Sequence, residues 1–100
     1  MSPLMPAALL SDRAAELQRL LAELTGHGAC HVRPYGKHLL IQLRRDDSLD
    51  TVARLTEAAP NHYSAAFRTH SGRWEPLPAA GNLRNTAQVV VSLLAPYLEP

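Results

Sequence analysis

The residues of this 100-residue chain best suited to chemistry are its five histidines, its single cysteine and its arginines. The stretch "HGACH", His27 to His31, holds three metal-competent side chains within five residues, yet its spacing matches no zinc motif. In an extended chain, neighbouring residues point to opposite faces, so Cys30 and His31 are poorly placed to share an ion. The expectation is a buried thiol beside a surface imidazole, and no metal site. Asp46, Asp47 and Asp50 lack the glycine and the terminal glutamate of a calcium loop and read as a solvated turn. His62 and His70 could move protons, which would suit a hydrolase or nuclease. No Ser, Cys or Asp stands in a nucleophile motif, however, and no glycine-rich loop could cradle a phosphate. No catalytic residue and no cofactor is assigned, and the chain reads as non-enzymatic.

Ten Lys and Arg against nine Asp and Glu leave a net charge of +1, too little for a general attraction to nucleic acid or an acidic membrane. Electrostatic function therefore requires local clustering. Arg33, His38, Arg44, Arg54, Arg68, His70 and Arg73, together with His31 and Gln42, are expected to gather on one sheet face, with Glu75 as its main acidic exception. Guanidinium forks match phosphates and carboxylates, so those seven are candidate contacts for RNA, DNA or an acidic protein. Against nucleic acid, the aromatic side chains that would stack on bases are expected to point into the core. A lone cysteine permits no intramolecular disulfide and suits a reducing cytoplasm. The segment "MSPLMPAALL" has no Lys or Arg ahead of its apolar residues and reads as a flexible lead-in over residues 1–10 rather than a secretory signal. No apolar run approaches the ~20 residues that cross a bilayer, so no membrane role is expected.

The elements that must position these side chains can be read from their periodicity. In "SDRAAELQRLLAELTGHG", Ser11 or Asp12 can cap a helix, Gly26 can end it, and Ala14, Leu17, Leu20, Leu21 and Leu24 form its apolar stripe. Cys30 and Val32, then Leu39, Ile41 and Leu43, alternate with polar residues around a Pro34-Tyr35-Gly36 turn and predict two antiparallel strands. "DDSLD" reads as a loop. "TVARLTEA" fits a strand or a short helix, and strand is preferred because Ala59-Pro60-Asn61-His62 is turn chemistry leading into the alternating run Tyr63, Ala65, Phe67, Thr69. Asn82 can cap a last helix whose stripe is Leu83, Ala87, Val90, Leu94 and Tyr97, and Pro96 should end or kink it. Val89, Val91 and Leu93 widen that stripe, so Val89, Val91, Leu93 and Tyr97 are candidates for self-association. The expected architecture is a two-layer α+β sandwich: helix, four-stranded antiparallel meander, helix, with both helices on one face and a single domain over residues 11–98.

The stretch "FRTHSGRWEPLP" predicts a hairpin. With Ser71-Gly72 as a two-residue loop, Thr69 faces Trp74, Arg68 faces Glu75 as an ion pair, and Phe67 faces Pro76, which ends the pairing. Trp74 then joins Tyr63 and Phe67 in an aromatic core. The helix–strands–helix order is similar to that of the double-stranded-RNA-binding domain in topology alone, since "NLRNTAQ" lacks that family's Lys-rich helix start. "RLTEA" followed by "THSGRWEPLP" resembles a group of small uncharacterised bacterial proteins with a His-(Ser/Thr)-Gly-Arg-Trp-Glu-Pro stretch. The likeness covers Ala53 to Asn82 and part of the last helix, implies a strand for "TVARLTEA", and implies no activity. The resulting expectation is a cytoplasmic protein-interaction module or complex subunit, self-associating as a homodimer through its last helix. The alternative is a nucleic-acid-binding domain that uses the Arg/His face.

Overall fold

Alternation with period two runs through most of the chain between Cys30 and Gly81, and a sheet is the structure that lets one half of those residues leave water together. The computed structural model describes residues 7–99, with side chains from residue 11 onward. Its elements are α1 (Ala7–Thr25), β1 (Cys30–Tyr35), β2 (His38–Arg45), β3 (Ser48–Ala59), β4 (His62–Arg68), β5 (Trp74–Gly81), α2 (Leu83–Leu94) and a short 3-10 helix (Ala95–Leu98). The strands pair in chain order as one antiparallel meander. The fold is α+β, with five strands rather than the four expected.

The register lines up one set of side chains across the sheet. Val32, Ile41, Ala53 and Phe67 form one row, and Leu39, Leu55, Ala65 and Leu77 form the next. Onto this face α1 brings Ala14, Leu17, Leu20 and Leu21, and α2 brings Leu83, Ala87, Val90 and Leu94, in a single buried cluster. The helices flank the sheet, α1 against β1 and α2 against β5 and β4, and touch each other. No helix among the described residues is long and apolar enough to cross a membrane.

Local chemistry explains most boundaries. Gly26 at φ +81° returns its N–H to the Ala22 carbonyl at 2.9 Å and ends α1 as expected. The helix begins at Ala7, so Ser11 and Asp12 lie inside it and cap nothing. Of the expected lead-in, residues 1–6 lie outside the described residues. Asn82 caps α2, its Oδ1 accepting from the Asn85 N–H at 2.8 Å, and Pro96 falls in the 3-10 turn that follows Leu94. "TVARLTEA" is strand, and β3 starts earlier, at Ser48. Only Asp46-Asp47 remain as the turn, with Asp46 at φ 53°. Pro34 and Tyr35 belong to β1 instead of to a turn, and the chain reverses at Gly36-Lys37.

Both sheet edges are protected. The Val32 N–H on the outer side of β1 is taken by Gln18 Oε1 of α1 at 2.9 Å, and Pro34, two residues on, has no N–H to offer. On β5, Pro76 and Pro78 are tolerated because an edge strand has a side on which a missing donor breaks no ladder. Pairing therefore continues past Pro76 to Gly81, with Pro78 and Ala79 bulged between Ala65↔Leu77 and Ser64↔Ala80.

The β4–β5 hairpin departs from expectation by one residue. Its loop is His70-Ser71-Gly72: the Thr69 N–H donates to the Arg73 carbonyl at 2.8 Å, and the Gly72 N–H to the Thr69 carbonyl at 2.9 Å. A Ser-Gly two-residue loop would force either Ser71 into a left-handed conformation or Gly into the wrong position. The three-residue loop asks for positive φ at Gly72 alone, which sits at +82°. Arg68 consequently faces Trp74, and Phe67 faces Glu75. A one-residue slip exchanges faces, so Trp74 leaves the core and joins the opposite side of the sheet. The core aromatics are Tyr63, fully buried, and the partly buried Phe67.

Truncation should separate these environments. Leu55→Ala, at a fully buried position, is expected to cost about 2–5 kcal/mol. Trp74→Ala should cost only about 1–2 kcal/mol, from partial burial and one cation–π stack. Urea midpoints of the two variants provide the comparison, and equal losses would contradict the outward placement of Trp74.

Candidate anion-binding face

Burial of one side of the sheet dictates the composition of the other. Moving from β1 to β5, successive rows on the open side are Tyr35, His38, Thr56, Ser64 and Ala80; then Arg33, Leu40, Arg54, Ala66 and Pro76; the pairs His31, Gln42 and Thr51 on β1–β3 and Arg68 with Trp74 on β4–β5 follow. Arg44, paired with Leu49, continues this side toward the β2–β3 turn. Five of the seven expected anion contacts, Arg33, His38, Arg44, Arg54 and Arg68, thus share one face. His70 and Arg73 do not: they lie in the β4–β5 turn at one corner of the sheet, where the Arg73 N–H donates to Thr69 Oγ1 at 3.2 Å.

None of the nine acidic residues reaches this face. Asp12, Glu16 and Glu23 are on α1, Asp46 and Asp47 in a turn, and Glu99 beyond the 3-10 helix. Asp50, Glu57 and Glu75 pair with Leu43, Tyr63 and Phe67, which places them on the helix-bearing side. Glu75 is therefore no exception on the basic face, and the expected Arg68–Glu75 ion pair does not form. The ion pairs Arg13–Glu16 and Arg45–Asp50 also lie elsewhere. A chain of net charge +1 carries four arginines on a surface without a carboxylate to neutralise them.

Trp74 is the feature of this face that periodicity missed. The Arg54 guanidinium carbon sits 4.3 Å from the Trp74 ring centroid, a cation–π stack that crosses β4 above the small side chain of Ala66. Arg54 Nε is buried with no hydrogen-bond partner among the described residues, so the indole rather than a carboxylate holds the guanidinium in place. Tyr35, 63% exposed, supplies a second aromatic on the same side. The clue to Trp74 was in the loop: glycine follows serine in Ser71-Gly72, which favours the three-residue turn.

Two polar pairs stiffen the face. Gln42, only 8% exposed, donates from Nε2 to Thr51 Oγ1 at 3.1 Å. His38 Nδ1 lies 2.8 Å from Thr56 Oγ1. Burial, followed by the nearby charges of Arg54 and Lys37, holds the His38 imidazole below its ordinary pKa. Cys30 and His31 lie on opposite sides of β1, and burial pushes the Cys30 thiol up, keeping it protonated. The self-association candidates also divide: Val89 and Val91 lean on the core, while Leu93 and Tyr97 are 46% and 57% exposed.

Comparison with protein-family models, curated proteins and solved structures finds no match for this chain.

The depressed His38 pKa has a signed consequence. The unfolded chain takes up this proton more readily than the folded one, so its contribution is complete above the ordinary value of 6.5 and is lost as pH falls through and below it. The thermal midpoint is expected to fall between pH about 7.5 and about 5.5, a window that brackets an ordinary histidine, and His38→Gln should flatten the slope. An unchanged slope in His38→Gln would remove His38 from the pH response.

Proposed function

We propose that this chain is a non-enzymatic binding module for single-stranded nucleic acid, held on the open face of its sheet. The observation that carries the reading is the segregation of charge: Arg33, Arg44, Arg54 and Arg68 occupy one face with no carboxylate, beside Trp74 and Tyr35. Guanidinium groups contact phosphates irrespective of sequence, and exposed aromatics stack on unpaired bases. Width favours a single strand over a duplex. Five strands ~4.8 Å apart span about 19 Å, whereas the major groove admits elements of ~12 Å. A sheet this broad can carry a splayed strand but cannot enter a groove.

The only tryptophan lies on the proposed surface and reports on it directly. Adding an unlabelled oligonucleotide should quench Trp74 emission, and a labelled one should gain anisotropy. The apparent constant should fall with salt at a log–log slope of ~0.7 per phosphate contacted. Arg33→Gln or Arg54→Gln should each lower the slope by about one such unit. Neither quenching nor anisotropy change in about 50 mM salt, where such contacts are strong, would reject the reading.

Self-association through α2 is the second reading, favoured by the exposure of Leu93 and Tyr97. Light scattering behind size exclusion should then give a dimer that Leu93→Glu converts to monomer. A wild-type chain that is monomeric at micromolar concentration removes it.

A further inference from the structure

Where the β2–β3 turn, the β4–β5 turn and the end of α2 converge, the surface closes into a groove of about 690 Å³. Its apolar lining comes from Val52 and Phe67 of the sheet and Leu94 of α2. Leu49 and Tyr97 form its walls while 41% and 57% exposed, so two large apolar side chains meet water at a concavity. Around the same opening stand Arg45, Arg68 and His70, against a single carboxylate, Asp50.

The two arginines are positioned rather than loose. Arg45 Nη2 donates to the Tyr97 carbonyl at 3.1 Å, which ties the β2–β3 turn to the C-terminal 3-10 helix. Its Nη1 is 3.9 Å from Asp50 Oδ2, a separation too long for a hydrogen bond, so donors of the guanidinium remain open toward the groove. Arg68 lies over Gly72, where a Cβ would come within 3.6 Å of its Nη2. That is ordinary van der Waals contact, so the guanidinium packs against the turn, and glycine is required there by its φ of +82° rather than by space.

We propose that this groove binds a small amphipathic anion: an apolar ring or chain that covers Val52, Phe67 and Tyr97, ending in a carboxylate or sulfonate that meets Arg45 and Arg68. Two arginines against one carboxylate set the sign of the charge. The volume sets the class, because ~300–1,000 Å³ is the range of small-molecule sites and too little for a polymer or a folded partner. The site adjoins the nucleic-acid face but is centred elsewhere. Arg45 precedes the β2–β3 turn on the helix-bearing side, and of the arginines only Arg68 belongs to both surfaces, with Leu49 and Thr51 at the shared rim.

The test uses the full chain and two dyes with the same rings, anilinonaphthalene sulfonate and the uncharged N-phenylnaphthylamine. One site is expected, with the sulfonate bound about tenfold more tightly, as one charge-assisted contact allows. Arg45→Gln should abolish that preference and leave the neutral dye and oligonucleotide binding unchanged. Leu49→Ser and Tyr97→Ala, both at exposed positions that folding does not depend on, should weaken both dyes several-fold. Equal affinity for the two dyes overturns the proposal, as does a sulfonate preference that survives Arg45→Gln but is lost in Arg33→Gln. Dye affinity that declines as protein concentration rises would assign the groove to a second copy, and loss of oligonucleotide binding in both Arg45→Gln and Tyr97→Ala would assign it to a polymer. Either result also overturns the proposal.

Discussion

The structure depends on the burial of one sheet face under two helices. Leu39, Leu55, Ala65 and Leu77 must stand in one row, beside Val32, Ile41, Ala53 and Phe67, for α1 and α2 to close over them. Because side chains alternate, that requirement also assigns every outward residue. The basic face is the complement of the core: Arg33, Arg54 and Arg68 face outward because Val32, Ala53 and Phe67 face inward. A change of pairing that moved one set would move the other.

Turn residues hold the register that burial demands. Gly36, Asp46, Asn61 and Gly72 all take positive φ, one in each connection between strands. Three of these connections are two-residue loops, and the fourth has three residues, which sets the phase of β5 relative to β4. At the edges, a side-chain amide and prolines replace the missing neighbours. Gln18 is the more consequential of these, because it joins α1 to β1 by a polar bond at the rim of an otherwise apolar contact.

Charge separation follows from the same geometry. Acidic side chains are spread over α1, a turn, the helix-bearing side of β3 and β5, and the C-terminal end, while four of the nine arginines share the open side. Coulomb interactions between exposed groups fade over a Debye length of ~8 Å at physiological salt. What a ligand meets is therefore the local arrangement and not the net charge of +1. Arg54 stacked on Trp74 combines a fixed cation with an aromatic surface, and Ala66 makes the stack possible by leaving space between them.

Features whose energies are local were legible in the amino-acid order. The apolar stripe of α1, its end at Gly26, the Asn82 cap and the strand character of "TVARLTEA" each depend on a few neighbouring residues and are found as read. Five of the seven expected anion contacts share a face for the same reason, since alternation within a strand is a local property. The start of α1 was not legible: Ser11 and Asp12 are good caps, but Ala7 to Leu10 are equally good helix. Nor was β5, because whether proline is tolerated depends on the strand being at an edge, which only the complete sheet defines. The phase of the last hairpin was the largest difference. Alternation in "RWEPLPAA" permits burial of Trp74, Pro76 and Pro78 or of Leu77 and Ala79, and nothing within the segment distinguishes them; the one local clue is Gly72, just before it. Pairing with β4, whose Tyr63 and Ala65 already face the helices, selects Leu77 and Ala79 and turns Trp74 outward. By itself the sequence determined which residues alternate and where the chain turns; the tertiary structure decided which side of β5 is core, because a choice between two faces of equal period is made by the neighbouring strand.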